Sequence, residues 1–176
     1  MINLRMFRPK LDRGAPRWKE AFWVLFQFWF FSLPYPLPSG FRCALLRFFG
    51  AKIGRGCVVR SSVRIKFPWR LSLGDYVWIG EDVNILNLAA VSIESNCCIS
   101  QGAFLCTGSH RFDRTEFDLV TKPISILESS WVAARVFVAP GVTIGPGSMC
   151  VAGSVVLRDV APNTTVIGNP AFPKPS

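Results

Sequence analysis

Hydrophobic residues recur every six positions along most of this chain. Aliphatic side chains stand at Ile53, Val59 and Ile65, then Leu73, Ile79 and Ile85, then Ile93, Ile99 and Leu105. They resume at Ile126, Val132, Val138, Ile144, Cys150 and Val156, where only Cys150 is not aliphatic. The steps from Ile65 to Leu73 and from Ile85 to Ile93 each carry two extra residues, and the step from Leu105 to Ile126 spans 21 residues instead of six. The fourth residue after each beat is small or branched, as at Cys57, Val63, Val77, Ala89, Cys97, Ala103, Ser109, Ser130 and Ser148, with Trp69 as the exception. A fixed period of six matches neither an α-helix nor a free hairpin strand; it marks a solenoid. The pattern predicts an all-β fold, a parallel β-helix of triangular section with one flat strand and one corner per hexad. Fifteen hexads at three per coil give about five coils, stacked roughly 4.8 Å apart. The beat residues would fill the axis. Glycines directly after a beat, as in Ile53-Gly54 and Leu73-Gly74, would supply corner angles that a side chain resists. A β-sandwich would instead show turns about every 8–12 residues and no strict six.

A different pattern precedes the repeat. Ala21 to Leu33 reads AFWVLFQFWFFSL, with Trp18 just before it and Pro34, Pro36 and Pro38 just after. Prolines end a helix, and the apolar run is shorter than the ~20 residues that span a bilayer. A second apolar stretch, Phe41 to Phe49, contains Arg42 and Arg47. The chain therefore divides into an N-terminal helical segment over 1–50, a β-helix over 51–167 with a loop at 106–125, and a tail over 168–176. At 176 residues, half of them hydrophobic, it is long enough for one domain with a sizeable core.

Charge sharpens the N-terminal picture. Residues 1–70 carry fourteen Lys or Arg against Asp12 and Glu20, whereas residues 71–176 are net acidic by three. Aromatics flanked by basic residues suit a helix lying in the interface of an anionic membrane. Capping of the first coil or a subunit contact is the competing reading. A signal peptide lacks its small-residue cleavage site, and no nucleic-acid module accompanies the basic pole. The cysteines Cys43, Cys57, Cys97, Cys98, Cys106 and Cys150 form no CxxC pair or metal spacing. They fit a reduced, cytoplasmic setting, here at the inner face of the membrane.

The long step is where chemistry is expected. Its sequence, LCTGSHRFDRTEFDLVTKPI, is polar and must leave the coil wall, and it holds His110, the only histidine. Loops on rigid scaffolds concentrate function. A neutral imidazole suits removal of a proton near pH 7, given a reference pKa of about 6.5. A single histidine also excludes a three-histidine zinc site, and no metal is expected.

Taken together, RIKFPWRLSLGDYVWIGEDV (64–83), Asn87-Leu88, CISQGAFLCTGSH (98–110), PISILESSWVAARVFVAPGVTIG (123–145) and Gly168-Asn169-Pro170-Ala171 resemble the hexapeptide-repeat acetyltransferases. Those enzymes have a left-handed β-helix, and the nearest branch is that of the colanic-acid (exopolysaccharide) biosynthesis acetyltransferases. The resemblance implies acetyl-CoA-dependent O-acetylation of a sugar hydroxyl on a polysaccharide or lipid-linked precursor. His110 would be the general base, and Asn87, or else Asn84, would orient the acceptor beside Ser109. It implies coenzyme contacts at Ala133, Ala152 and Gly153, with Arg158 and Lys174 near phosphates, and a homotrimer whose sites lie between subunits. N-acylation of a nucleotide amino sugar, serine O-acetylation and a non-catalytic scaffold are the alternatives. The family commonly has aspartate after this histidine. Here Arg111 stands there, so Asp113, Glu116 or a backbone carbonyl would have to hold the imidazole, and Arg111 could meet a phosphate on the acceptor.

Overall fold

The structure, a computed structural model, describes residues 2–8, 11–32 and 37–174. It is a left-handed parallel β-helix. One face stacks Lys52–Ile53, Leu71–Leu73, Val91–Ile93, Ile124–Ile126 and Thr143–Ile144. The second stacks Val58–Val59, Trp78–Ile79, Cys98–Ile99, Trp131–Val132, Met149–Cys150 and Thr165–Gly168, closed by the antiparallel return Ala171–Pro173. The third stacks Arg64–Ile65, Asn84–Leu86, Phe104–Cys106, Phe137–Val138 and Val155–Val156. Five complete coils result, and a sixth is begun where Val160 bridges to Ile144 and continues into Thr165–Gly168. The expected count of about five is therefore short by this partial coil, whose first beat position had lost its hydrophobic spacing.

The beat does what its period requires. Every beat residue from Val59 to Val156 is 3 % exposed or less. Each such side chain contributes about 1.5–3 kcal/mol by leaving water. The residue three after a beat commonly has positive φ (Asp82 57°, Asn96 59°, Arg135 57°) and turns the corner, so that the fourth residue points inward. Glycines after a beat have a different role from the one expected. Gly54 and Gly74 do not need a left-handed backbone. A Cβ on Gly54 would lie 2.4 Å from the Gly74 carbonyl oxygen, and one on Gly74 would lie 2.6 Å from the Ser95 nitrogen. They are needed for space between coils.

The two short slips and the long step fall on one edge of the prism, between the third and first faces, in three successive coils. The edge is widened there, and Phe67, Asn87 and Thr107 occupy the extra inward positions, each 0 % exposed. Ser109, expected to point inward, is exposed because the chain has already left the wall. Beyond the third coil this edge is tight.

The N-terminal segment covers the first coil. Helix α1 (Arg17–Gln27) continues into a π-helical turn, Phe28–Ser32, and α2 spans Ser39–Phe48. Pro34 and Pro36, expected to break the helix, lie outside the described residues; Pro38 precedes α2 directly. Buried positions on α1 and its extension fall at Glu20, Trp23 and Phe31, and on α2 at Arg42, Cys43 and Leu46. This helical spacing turns one stripe onto the coil. An open solenoid end exposes unpaired strand groups, and the helices satisfy them. Val59 N–H donates to Ser39 Oγ (2.6 Å), Ile65 N–H to Gln27 Oε1 (2.7 Å) and Ser62 N–H to the Phe31 carbonyl (2.6 Å), while Trp23 Nε1 donates to the Ile65 carbonyl (2.7 Å).

Candidate active site

The chain leaves the widened edge after Thr107 as an antiparallel hairpin, Gly108–His110 against Leu119–Thr121. Thr107 fastens its root: its hydroxyl donates to the Leu86 carbonyl (2.8 Å) and accepts from Ala89 N–H (2.9 Å), while Lys122 N–H returns to the Thr107 carbonyl (2.9 Å). His110 stands at the end of the outgoing strand, opposite Leu119. Its Nδ1 is 2.9 Å from the Phe117 carbonyl oxygen. A carbonyl can only accept, so Nδ1 carries the proton. In the neutral ring the lone pair then sits on Nε2. The Phe117 ring lies flat on the imidazole, with centroids 4.2 Å apart and planes 3° apart.

The partner of His110 is thus a backbone carbonyl and not an acid. Arg111 grips Asp113 with two bonds, Nε to Oδ1 (2.8 Å) and Nη2 to Oδ2 (2.6 Å). That guanidinium holds the Asp113 carboxyl well below its usual range, at about 2. Asp113 is therefore ionised at neutral pH and is engaged by Arg111.

Two of the expected site residues are buried in the wall, and both polar atoms of the Asn87 side chain are bonded there. Its Oδ1 accepts from Phe67 N–H (2.8 Å), its Nδ2 donates to the Phe67 carbonyl (2.6 Å), and the side chain is fully buried. It clasps the widened edge one coil above. Asn84 points outward from the third face and is half-buried. Ala133 is also unsuited to a surface contact, being 4 % exposed. Pairing of Trp131 with Met149 sets the register and puts Ala134, not Ala133, beside Ala152. Ala152 and Gly153 are exposed, and a Cβ on Gly153 would meet nothing within 4 Å. This corner is bare backbone that a ligand can approach closely. At the far end, Leu157, Arg158, Thr164 and Pro170–Pro173 line a cleft of about 430 Å³, with Lys174 exposed just beyond.

Ser109 and Arg111 are exposed on the hairpin. All six cysteines are free, and burial pushes the Cys150 thiol up to about 12, which suits a filler and not a nucleophile. Among the described residues no group of His, Cys, Asp and Glu could hold a metal ion. The sequence reading missed Phe117, Phe7 and Thr107. Phe117 acts partly through a carbonyl, which no residue type announces. Phe7 reaches the loop only through tertiary folding, with its ring edge-on to His110 at 5.5 Å.

No protein-family model matches the chain. It is 44 % identical over 163 residues to WcaF of Escherichia coli K12, a protein named for an acetyltransferase of colanic acid biosynthesis; the match covers 93 % of this chain and 90 % of WcaF. It is 27 % identical to the galactoside O-acetyltransferase of the same organism, over 80 % of this chain and 70 % of that one. Among solved structures, the hexapeptide-repeat acetyltransferase VCA0836 of Vibrio cholerae, complexed with acetyl-CoA, superposes with a TM-score of 0.80 at 29 % identity, covering 91 % of this chain and 86 % of that one.

Proposed function

The chain belongs to the hexapeptide-repeat acetyltransferase family and is an acetyl-CoA-dependent acetyltransferase; we propose that its acceptor is a sugar hydroxyl of an exopolysaccharide or lipid-linked glycan precursor, with His110 as general base. The observation that carries this reading is the bond from His110 Nδ1 to the Phe117 carbonyl, which leaves Nε2 free to accept. Acetyl-CoA supplies an activated acetyl thioester. His110 Nε2 takes the acceptor hydroxyl proton as that oxygen forms its bond to the acetyl carbon. The carbon–sulfur bond breaks, and the imidazolium returns the proton to the departing thiolate. Positioned bases of this kind contribute about 10²–10⁴-fold.

The bare corner at Ala134, Ala152 and Gly153 suits close approach of the pantetheine arm, and Arg158 and Lys174 suit its phosphates. With Asn87 spent on the wall, Asn84, Ser109 and Arg111 are the polar side chains left for the acceptor. A trimer would cover the outward column of Trp78 and Trp131, which are 51 % and 45 % exposed. On the N-terminal cap, Trp18, Phe22, Leu25, Phe28 and Trp29 point away from the coil and are each 48 % exposed or more. Arg17, Lys52 and Arg64 have no acidic partner among the described residues. This combination suits an anionic membrane surface. No helix among the described residues is long and apolar enough to cross a membrane, so the contact would be peripheral, with the enzyme on the cytoplasmic leaflet. A screen with labelled acetyl-CoA against free sugars, nucleotide sugars and lipid-linked glycans tests the acceptor. Label is expected as an alkali-labile ester on a glycan. Label only as an alkali-stable amide, or only on serine, would overturn the reading.

A further inference from the structure

The hairpin that carries His110 is held from two sides. From its own turn, Phe117 contributes both a carbonyl, on Nδ1 at 2.9 Å, and a ring, parallel to the imidazole at 4.2 Å. From the N-terminus, the segment 2–8 crosses the hairpin. Asn3 N–H donates to the Thr115 carbonyl (2.9 Å), and Phe7 sets its ring at 64° to His110 and 66° to Phe117. Asp12 and Arg13 lie at the widened edge and are pinned there. Arg70 Nη2 donates to the Asp12 carbonyl (2.7 Å), and Trp69 Nε1 donates to the Arg13 carbonyl (2.7 Å). The strap is thus tied at both ends.

We infer that Phe117 and Phe7 are positioning residues for the catalytic base: together they fix the plane and the tautomer of the His110 imidazole. The inference rests on the reading of His110 as that base. A single hydrogen bond fixes one ring nitrogen but lets the ring swing about it. A flat neighbour at stacking distance removes the swing, and an edge-on ring beside it closes the remaining side. Aromatic pairs prefer these offset and edge-to-face arrangements. Nε2 is left as the reactive edge. Phe117 adopts φ = 52° to do this. Positive φ is uncommon for a bulky residue, and an outlier beside a reactive group warrants a functional reading. The strap accordingly belongs to the working active site, although it lies about a hundred residues away in sequence.

The lone histidine makes the test clean, because one imidazole supplies all the histidine ring signals. Long-range ¹⁵N–¹H spectra of full-length protein report its tautomer, and its carbon-bound protons report the ring current of Phe117. Phe117→Leu keeps the carbonyl and removes the ring; Phe7→Leu removes the edge contact; Phe117→Tyr restores a ring. The wild type is expected to give a neutral ring protonated at Nδ1, with upfield-shifted protons. Phe117→Leu is expected to lose that shift while keeping the Nδ1–H tautomer, because the carbonyl remains. Its kcat should fall about tenfold, since small misplacements of reacting groups are costly, with KM for acetyl-CoA changed by less than about twofold. Phe117→Tyr should recover both readouts, and Phe7→Leu should show the same signature at about threefold. Wild-type shifts and kcat in Phe117→Leu would overturn the inference. Should that variant not fold, Phe7→Leu decides it, and an unchanged ring and unchanged kcat overturn it. Undiminished transfer by His110→Ala would instead overturn the base, and the spectra would still report whether the clamp exists.

Discussion

Asn87 and Phe67 exchange two hydrogen bonds inside the wall, and each unsatisfied group left there by truncation costs about 1–3 kcal/mol. Asn87→Ala is therefore expected to lower unfolding free energy by a few kcal/mol in urea titration. Unchanged stability would return Asn87 to the list of acceptor contacts. The same residue illustrates what the sequence can and cannot carry. An asparagine two positions after a beat reads alike whether it clasps a neighbouring coil or binds a sugar. His110 was legible because it is a lone titratable group in a polar break of an otherwise regular pattern. Its partner was not, because a carbonyl belongs to every residue. Ala133 is buried, and the more exposed residue beside Ala152 is Ala134. Ala133 and Ala134 are chemically identical, and only the pairing of Trp131 with Met149 distinguishes them.

Glu20 ties the capping helix α1 to the first coil. It is buried and bonded to Lys66 Nζ at 2.7 Å and to Arg13. Burial alone would raise its pKa, but the Lys66 and Arg13 hydrogen bonds outweigh it and hold the carboxyl below its ordinary value. A depressed folded pKa gives stability that is present above the unfolded value, about 4.5, and lost as pH falls through the folded one. Glu20→Gln should thus be less stable than the wild type at pH 7 by guanidinium titration, with the gap closing as pH falls below the ordinary carboxylate value. A gap constant from pH 7 to pH 3 would contradict the pairing. Trp23, fully buried with its Nε1 on the Ile65 carbonyl, is the other fastening, and Trp23→Ala should cost about 3–5 kcal/mol. The apolar run announced these helices. The sequence left open whether they cap or meet lipid, because residues facing the coil and residues facing outward are equally aromatic; only burial at Trp23 and Phe31 beside exposure at Phe22 and Trp29 separates the two faces.

Across the whole molecule, the period gives the scaffold, and its three irregular steps share one edge. Two narrow widenings and one hairpin lie in successive coils there, with Asp12 and Arg13 held at the first widening and Phe7 at His110. The net charge divides the prism as well, although several first-coil arginines are paired, Arg60 with Glu81 at 2.6 Å among them. If the outward aromatics of the cap meet an anionic bilayer, a Trp18→Ser, Phe22→Ser, Trp29→Ser variant should stop sedimenting with phosphatidylglycerol vesicles while keeping its melting temperature. Retained binding would point to the basic groups alone, and no binding by the wild type would leave capping as the helices' role. Acetyl transfer by His110→Ala reads the role of the imidazole without any other histidine to substitute for it. A loss of about 10²–10⁴-fold in kcat/KM is expected, with acetyl-CoA affinity and oligomeric state unchanged, whereas turnover at the wild-type rate would rule out His110 as the general base.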